Sequence, residues 1–150
     1  MTDIKDAAKR SLNMKAIRSK NTKPEIILRK ELFKKGIRYR KNVKYIPGHP
    51  DIYLKKYNTA IFVHGCFWHQ HPNCKYAYIP KSNIDFWEKK FFNNTQRDLK
   101  IKELLNMSRI KTLIVWECSL KKMFRTQECK ERFIADILDF LFSDDLFKEI

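Results

Sequence analysis

The chain has 150 residues, 43% apolar and 13% aromatic, which suits one globular domain with a packed core and excludes two ordinary domains or a disordered chain. Three glycines exclude a glycine-rich phosphate loop or a dinucleotide-binding turn. A net charge of +15 points to a polyanion, nucleic acid before membrane, and no apolar run approaches the roughly 18 residues of a membrane span.

The charge is uneven. Residues 1–44 carry 15 basic and 4 acidic side chains, net +11; residues 45–125 are net +8; residues 126–150 are net −4. The first two regions are expected to face the polyanion and the last to face away. Basic residues are spread over helix, strand and loop alike, which fits a duplex better than a membrane surface. Residues 1–6 have no apolar signal core, so a cytoplasmic location is expected, and four cysteines there read as metal ligands rather than disulfides.

In chain order, residues 1–21 read as a basic arm or short helix. Thr22-Lys23-Pro24-Glu25 opens a helix as a capping box with proline in the first turn, and Gly36 closes it. Ile37 and Tyr39 alternate with Arg38 and Arg40 as in a half-buried strand. Pro47-Gly48-His49-Pro50 is a turn, and residues 51–54 and 59–63 are two strands joined by a polar turn, an antiparallel pair. Residues 84–107 form a long helix, 111–116 a short buried strand and 127–142 a last amphipathic helix. The pattern predicts an α/β fold, a mixed sheet flanked by helices with one parallel crossover. The domain reading is an N-terminal DNA-embracing arm at 1–21, a single domain at 22–142 and an acidic tail at 143–150.

Three groups of residues carry chemistry. Cys66, His71 and Cys74 form C-x4-H-x2-C, and Cys118 follows the strand ending at Trp116; together they make a closed four-ligand set suited to structural zinc, the alternative being buried free thiols. Cys129 reads as a small buried apolar residue. Asp51 opens one strand, His64 ends its hairpin partner and His69 follows. A strand aspartate can hold magnesium on a scissile phosphate and a histidine can deprotonate water, the bland alternative being an aspartate that only satisfies backbone donors. On the long helix, Trp87, Phe91, Asn94, Asp98, Ile101 and Leu105 recur at helical spacing, so Asp98 interrupts a buried face and needs a partner such as His64 or His69. Phe67-Trp68, between the candidate zinc ligands, either stack against bases or fill the core.

These residues carry a resemblance. His64-Gly65-Cys66-Phe67-Trp68-His69 with His71 and Cys74, Pro50-Asp51, Phe86-Trp87, Asn94, Arg97-Asp98 and residues 114–118 resemble the very short patch repair DNA endonucleases over roughly residues 8–120. The resemblance implies a restriction-endonuclease-like fold and magnesium-dependent nicking of one strand of double-stranded DNA, 5′ of the thymine of a T:G mismatch left by 5-methylcytosine deamination. It implies action as a monomer, with no membrane partner. It also implies a functional link to a cytosine-5 methyltransferase and completion by a repair polymerase and ligase. It assigns Asp51 and the Val63 backbone carbonyl to magnesium, and His69 to water activation. His64, Asp98 and Glu25 support the site, with Asn94 near the phosphate. Phe67, Trp68 and Trp87 become major-groove wedges, Met14 a minor-groove wedge, and Cys66, His71, Cys74 and Cys118 the zinc ligands. Two departures stand out: two residues rather than one separate His71 from Cys74, and no acid-x-lysine pair follows Asp51. Another nuclease of the same fold, cutting as a dimer, or a non-catalytic zinc-stabilised DNA-binding protein are the competing classes.

Overall fold

A computed structural model describes residues 20–150. The basic arm up to residue 19, Met14 included, lies outside the described residues. Helix α1 spans Lys23–Lys34, β1 Arg40–Lys41, β2 Ile52–Leu54, β3 Thr59–His64, α2 Ile84–Met107, β4 Lys111–Trp116, α3 Glu117–Met123, α4 Gln127–Phe142 and β5 Phe147–Glu149. The five strands lie in chain order in one sheet. β1, β2 and β3 pair antiparallel, then β3–β4 and β4–β5 pair parallel, with α2 as the first crossover. This is the mixed α/β sheet expected.

Alternation along the central strands divides the core into two layers. Ile52, Leu54, Ile61, Leu113 and Val115 pack with α1, α3 and α4, against Leu28, Leu32, Ile137 and Phe140. Tyr53, Ala60, Phe62, Ile114 and Trp116 face the other way, with Leu105 of α2 and the cysteines Cys66 and Cys118. His64 has the parity of Phe62 and is the register partner of Trp116, so the sequence delivers both rings to the α2 side at the strands' C-terminal ends. Every member of the predicted α2 stripe, from Trp87 to Leu105, is buried or half-buried.

Local chemistry explains the element ends. Thr22 caps α1: its hydroxyl accepts from Glu25 N–H and donates to Glu25 Oε1 at 3.1 Å. The β2–β3 connection is a 3-10 turn, Lys55–Tyr57, closed by Asn58 in the left-handed region, which asparagine tolerates. Gly48 has φ +81°, and an added Cβ would stand 2.5 Å from Ile101 and 3.0 Å from Phe62. Only glycine fits there, and the close approach seats the turn that leads into Asp51.

Four expectations are corrected. The strand read at 37–40 is displaced to Arg40–Lys41, because Ile37 bonds back to Leu32 O in closing α1. Residues 117–123 form an unforeseen helix. The last eight residues do not trail as an acidic tail: β5 joins the sheet edge, and the backbone of Ile150 both donates to Ile114 O and accepts from Trp116 N–H at 2.9 Å. The neighbouring β4 also supplies Lys111, whose buried ammonium donates to the carbonyls of Leu141 at 3.2 Å and Ser143 at 2.7 Å, neutralising the C-terminus of α4. Cys129 is half-buried rather than buried.

Candidate active site and metal cage

The loop of residues 65–74 leaves β3 and turns back across the sheet's end. Left-handed backbone at Gln70 and Asn73 makes the reversals, and His69 N–H and His71 N–H bond to Gly65 O and Cys66 O. It delivers its chemistry to two sides.

On one side Cys66, His71, Cys74 and Cys118 bring one donor atom each within 4.8 Å of one another. Cys118, in the first turn of α3, has Sγ 3.4 Å from His71 Nδ1, and Cys66 Sγ lies 3.7 Å from the same nitrogen. Tetrahedral zinc with ordinary Zn–S and Zn–N bonds requires donor separations of roughly 3.6 Å, so the four side chains fit the ion. Burial, with the crowding thiols of Cys118 and Cys74, pushes the Cys66 thiol up to about 12. The Tyr76 backbone N–H holds the Cys74 thiol below its usual range, and burial holds His71 below its own. Three thiols and an imidazole form a donor set of the kind that suits a soft or borderline cation.

On the other side His69 Nδ1 and Asp98 Oδ2 stand 2.6 Å apart, so α2 reaches the loop through the polar position in its buried stripe. With the carboxylate accepting, Nδ1 carries the proton and Nε2 keeps a free lone pair. His64 stacks on His69 with ring centroids 3.8 Å apart and planes 3° from parallel. Burial drives His64 down to about 3, so the stacked ring is neutral. His64, His69 and Asp98 also offer donors within 4.8 Å. Imidazole lone pairs lie in the ring plane, and two parallel planes cannot converge on one ion while Asp98 occupies Nδ1. As placed, this cluster, the relay, is held by the His69–Asp98 hydrogen bond and the ring stack.

Asp51 sits just before β2, and its Oδ2 accepts from Val63 N–H at 2.8 Å. Among the described residues no protein donor reaches its other carboxylate oxygen. Burial pushes Asp51 up to about 7, opposed by the Val63 N–H; the charge of Glu25 adds to the rise, while Arg29 and His69 oppose it. A half-desolvated carboxylate with one open oxygen, beside a second carboxylate, fits a hard divalent cation. Glu25 itself is saturated. Oε1 accepts from Thr22 at 3.1 Å, and Oε2 accepts from Asn21 N–H at 2.9 Å and from Arg29 Nη2 at 3.1 Å. It therefore acts on Asp51 through its charge.

Phe67 packs against Trp68, Trp87, Phe91 and Tyr78 at centroid distances of 5.1–5.4 Å. Trp68 and Trp87 are 5.9 Å apart. Phe67, Trp68 and Trp87 are half-buried, and Phe86 beside them is 57% exposed, so the cluster is a surface-opening aromatic platform rather than core. Asn94 Nδ2 donates to Trp68 O at 3.0 Å, tying the loop to α2.

The structure thus gathers the described candidates into a Cys66–His71–Cys74–Cys118 group, a His64–His69–Asp98 group and an aromatic group around Phe67, while Asp51 is hydrogen-bonded to Val63 outside both titratable clusters. Sequence reasoning missed Arg29, Asn21 and Trp116. Arg29 carried a readable signal, its i,i+4 spacing from Glu25. Trp116 stacks on His71 at 4.1 Å and meets His64 edge-on at 5.2 Å, so one indole separates cage from relay. Among the described residues no helix is long and apolar enough to cross a membrane.

A family model described as DNA mismatch endonuclease Vsr matches residues 2–75. Type II nicking enzyme V.NmeAIP of Neisseria meningitidis serogroup A is 48% identical over 93% of this chain and 99% of its own. Type II nicking enzyme V.XorIIP of Xanthomonas oryzae is 38% identical over 82% of this chain and 90% of its own. DNA mismatch endonuclease Vsr of Escherichia coli K12 is 38% identical over 81% of this chain and 77% of its own. With near-complete coverage at this identity, the chain belongs to the Vsr family and is a DNA endonuclease.

Proposed function

We propose that this endonuclease, a restriction-endonuclease-like fold, nicks one strand of duplex DNA 5′ of the thymine of a T:G mismatch. One loop supports the reading: residues 65–74 carry both the relay histidine, His69, bonded to Asp98 at 2.6 Å, and the aromatic pair Phe67-Trp68. Chemistry and mismatch sensing are thereby fixed to one rigid element.

Asp51 and the backbone carbonyl of Val63 would hold magnesium. When bound, the ion supplies positive charge against the oxyanions of phosphodiester hydrolysis. His69 accepts a proton from the attacking water at Nε2, while Asp98 fixes the tautomer and stabilises the charged ring. His64, neutral and stacked, orients His69. Glu25 tunes Asp51 from behind, and Asn94 holds the wedge loop at the phosphate. Cys66, His71, Cys74 and Cys118 would hold zinc, whose closed shell pins loop to sheet. Phe67, Trp68 and Trp87 wedge from the major groove, and Met14, on the arm of residues 1–21, from the minor groove. Residues 22–150 act as one catalytic domain and as a monomer, since one nick needs one site. The lesion arises where a cytosine-5 methyltransferase acts in the cytoplasm, and a polymerase and ligase finish the repair.

The test is cleavage of two duplexes that differ only in T:G against C:G. Magnesium-dependent nicking of the first alone is expected. Equal cleavage of both would remove the mismatch reading, and binding without cleavage in magnesium would remove the catalytic one.

A further inference from the structure

Away from the relay and the cage, α1 and β1 flank an open hollow of about 300 Å³ lined by Asn21, Ile26, Arg29, Lys30, Tyr39 and Lys41. Arg29 is its buried member, only 5% exposed. Its Nη1 donates to Asn21 Oδ1 at 2.8 Å and its Nη2 to Glu25, but among the described residues its Nε–H has no partner. A buried donor left unpaired is costly, roughly 1–3 kcal/mol, and calls for an acceptor. Lys30 and Lys41 are exposed, stand on separate elements at the same cavity and have no acidic partner among the described residues. Glu25 forms its ion pair with Arg29 and none with either lysine. Three cations, a phenol hydroxyl and an amide around one hollow suit an oxyanion with several acceptor oxygens.

The cavity's place in the fold says which oxyanion. Asn42, next to Lys41, donates its backbone N–H to Asp51 O at 3.1 Å and its side-chain amide to Asn21 Oδ1 at 3.2 Å. The cavity wall is therefore tied directly to the backbone of Asp51. We propose that this cavity binds a backbone phosphate of the DNA substrate other than the one cleaved, and so sets the strand's register on Asp51. This rests on the family's action on DNA and not on mismatch preference, so a matched duplex serves as the probe.

The test combines Lys30→Gln and Lys41→Gln, leaving Arg29 in place because it also holds Glu25. Unchanged melting temperature establishes that the fold survives. The slope of log affinity against log salt should become shallower by about one, near 0.9 for each phosphate no longer neutralised. Duplexes carrying one neutral methylphosphonate at a time should reveal one position that weakens the wild-type protein and leaves the double variant unaffected. An unchanged slope overturns the proposal. So does a shallower slope with no such position, which would make the lysines diffuse charge only. Inorganic phosphate that raises the melting temperature of the wild type alone, with a flat methylphosphonate scan, would assign the cavity to a free anion and equally overturn a DNA subsite.

Discussion

The cage and the relay each take a histidine from the loop of residues 65–74 and touch the same indole, yet they differ in donor set and in geometry. In the cage, donor atoms from loop and helix converge, at 3.4–3.7 Å from His71 Nδ1 to two sulfurs. In the relay, two imidazoles lie parallel at 3.8 Å and one is spent on a carboxylate at 2.6 Å. Convergence makes a site that holds an ion and leaves it no open position. Parallel stacking with one hydrogen bond leaves a ring nitrogen open, as the proposed proton transfer requires. Three thiols against none, and lone pairs that converge against lone pairs that do not, both separate the two clusters.

The comparison breaks most sharply at Asp51, outside both clusters. Asp51→Asn should lower nicking to below about 1% of wild type while DNA affinity is kept, because it removes a charge from the magnesium position without touching the basic surface. Single-turnover rates and a binding isotherm check this together. Near wild-type cleavage would move the active centre elsewhere.

In the relay, His69→Ala should cost roughly 10²–10⁴ in rate, the range of a lost general base. Asp98→Asn should cost less, since the imidazole remains but its tautomer is no longer enforced. Neither should reduce zinc content. A loss under tenfold for His69→Ala would leave the stack a structural role.

The cage should behave inversely. Purified protein should carry one zinc per chain by elemental analysis. Cys118→Ala should lose the ion and about 10 °C of melting temperature, at roughly 2–4 °C per kcal/mol for a domain of this size. Stoichiometric zinc absent from stable, active protein would contradict the assignment.

Trp68→Ala probes the platform between them. Unstacking a base step costs a few kcal/mol and is cheaper at a weakened pair, so removing the wedge should erase the preference for T:G over C:G and leave phosphate-driven binding nearly unchanged. A large fall in melting temperature with equal loss on both duplexes would return Trp68 to the core.

The smallest expected effect is on stability against pH in magnesium-free buffer. Asp51 is raised from 3.8 to about 7, so between those values the native state holds a proton that the unfolded state has released, and Asp51 costs stability as pH rises through that window. His64 is lowered from 6.5 to about 3, so its contribution runs the other way and stability is lost as pH falls below 6.5. Melting curves of Asp51→Asn should lack the first slope, and those of His64→Gln the second. Magnesium should stabilise the wild type more at pH 8 than at pH 6, because it must displace the Asp51 proton.

What the sequence disclosed was what short spacing encodes. Three cage ligands fall within nine residues, and Asp98 is marked by its place in a helical stripe. Capping chemistry at Thr22 and Glu25 was likewise local. β5 was hidden because Phe147–Glu149 is three residues long, follows an acidic stretch and exists only through pairing with β4. The His64–His69 stack was hidden because ring orientation is set by the loop's left-handed turns and by Trp116, a strand away. Arg29 escaped because an arginine on a basic helix reads as solvated until its partner is seen to be buried.

Under the proposed function, one magnesium-dependent centre at Asp51 cuts one strand at a mismatch sensed by the neighbouring loop. The most direct measurement is a denaturing-gel map of a T:G duplex with each strand labelled in turn, incubated with wild type and Asp51→Asn in magnesium. The account predicts a single product, cut 5′ of the thymine on the thymine strand, from the wild type alone. Cleavage of both strands, a nick unrelated to the thymine, or equal product from Asp51→Asn would contradict it.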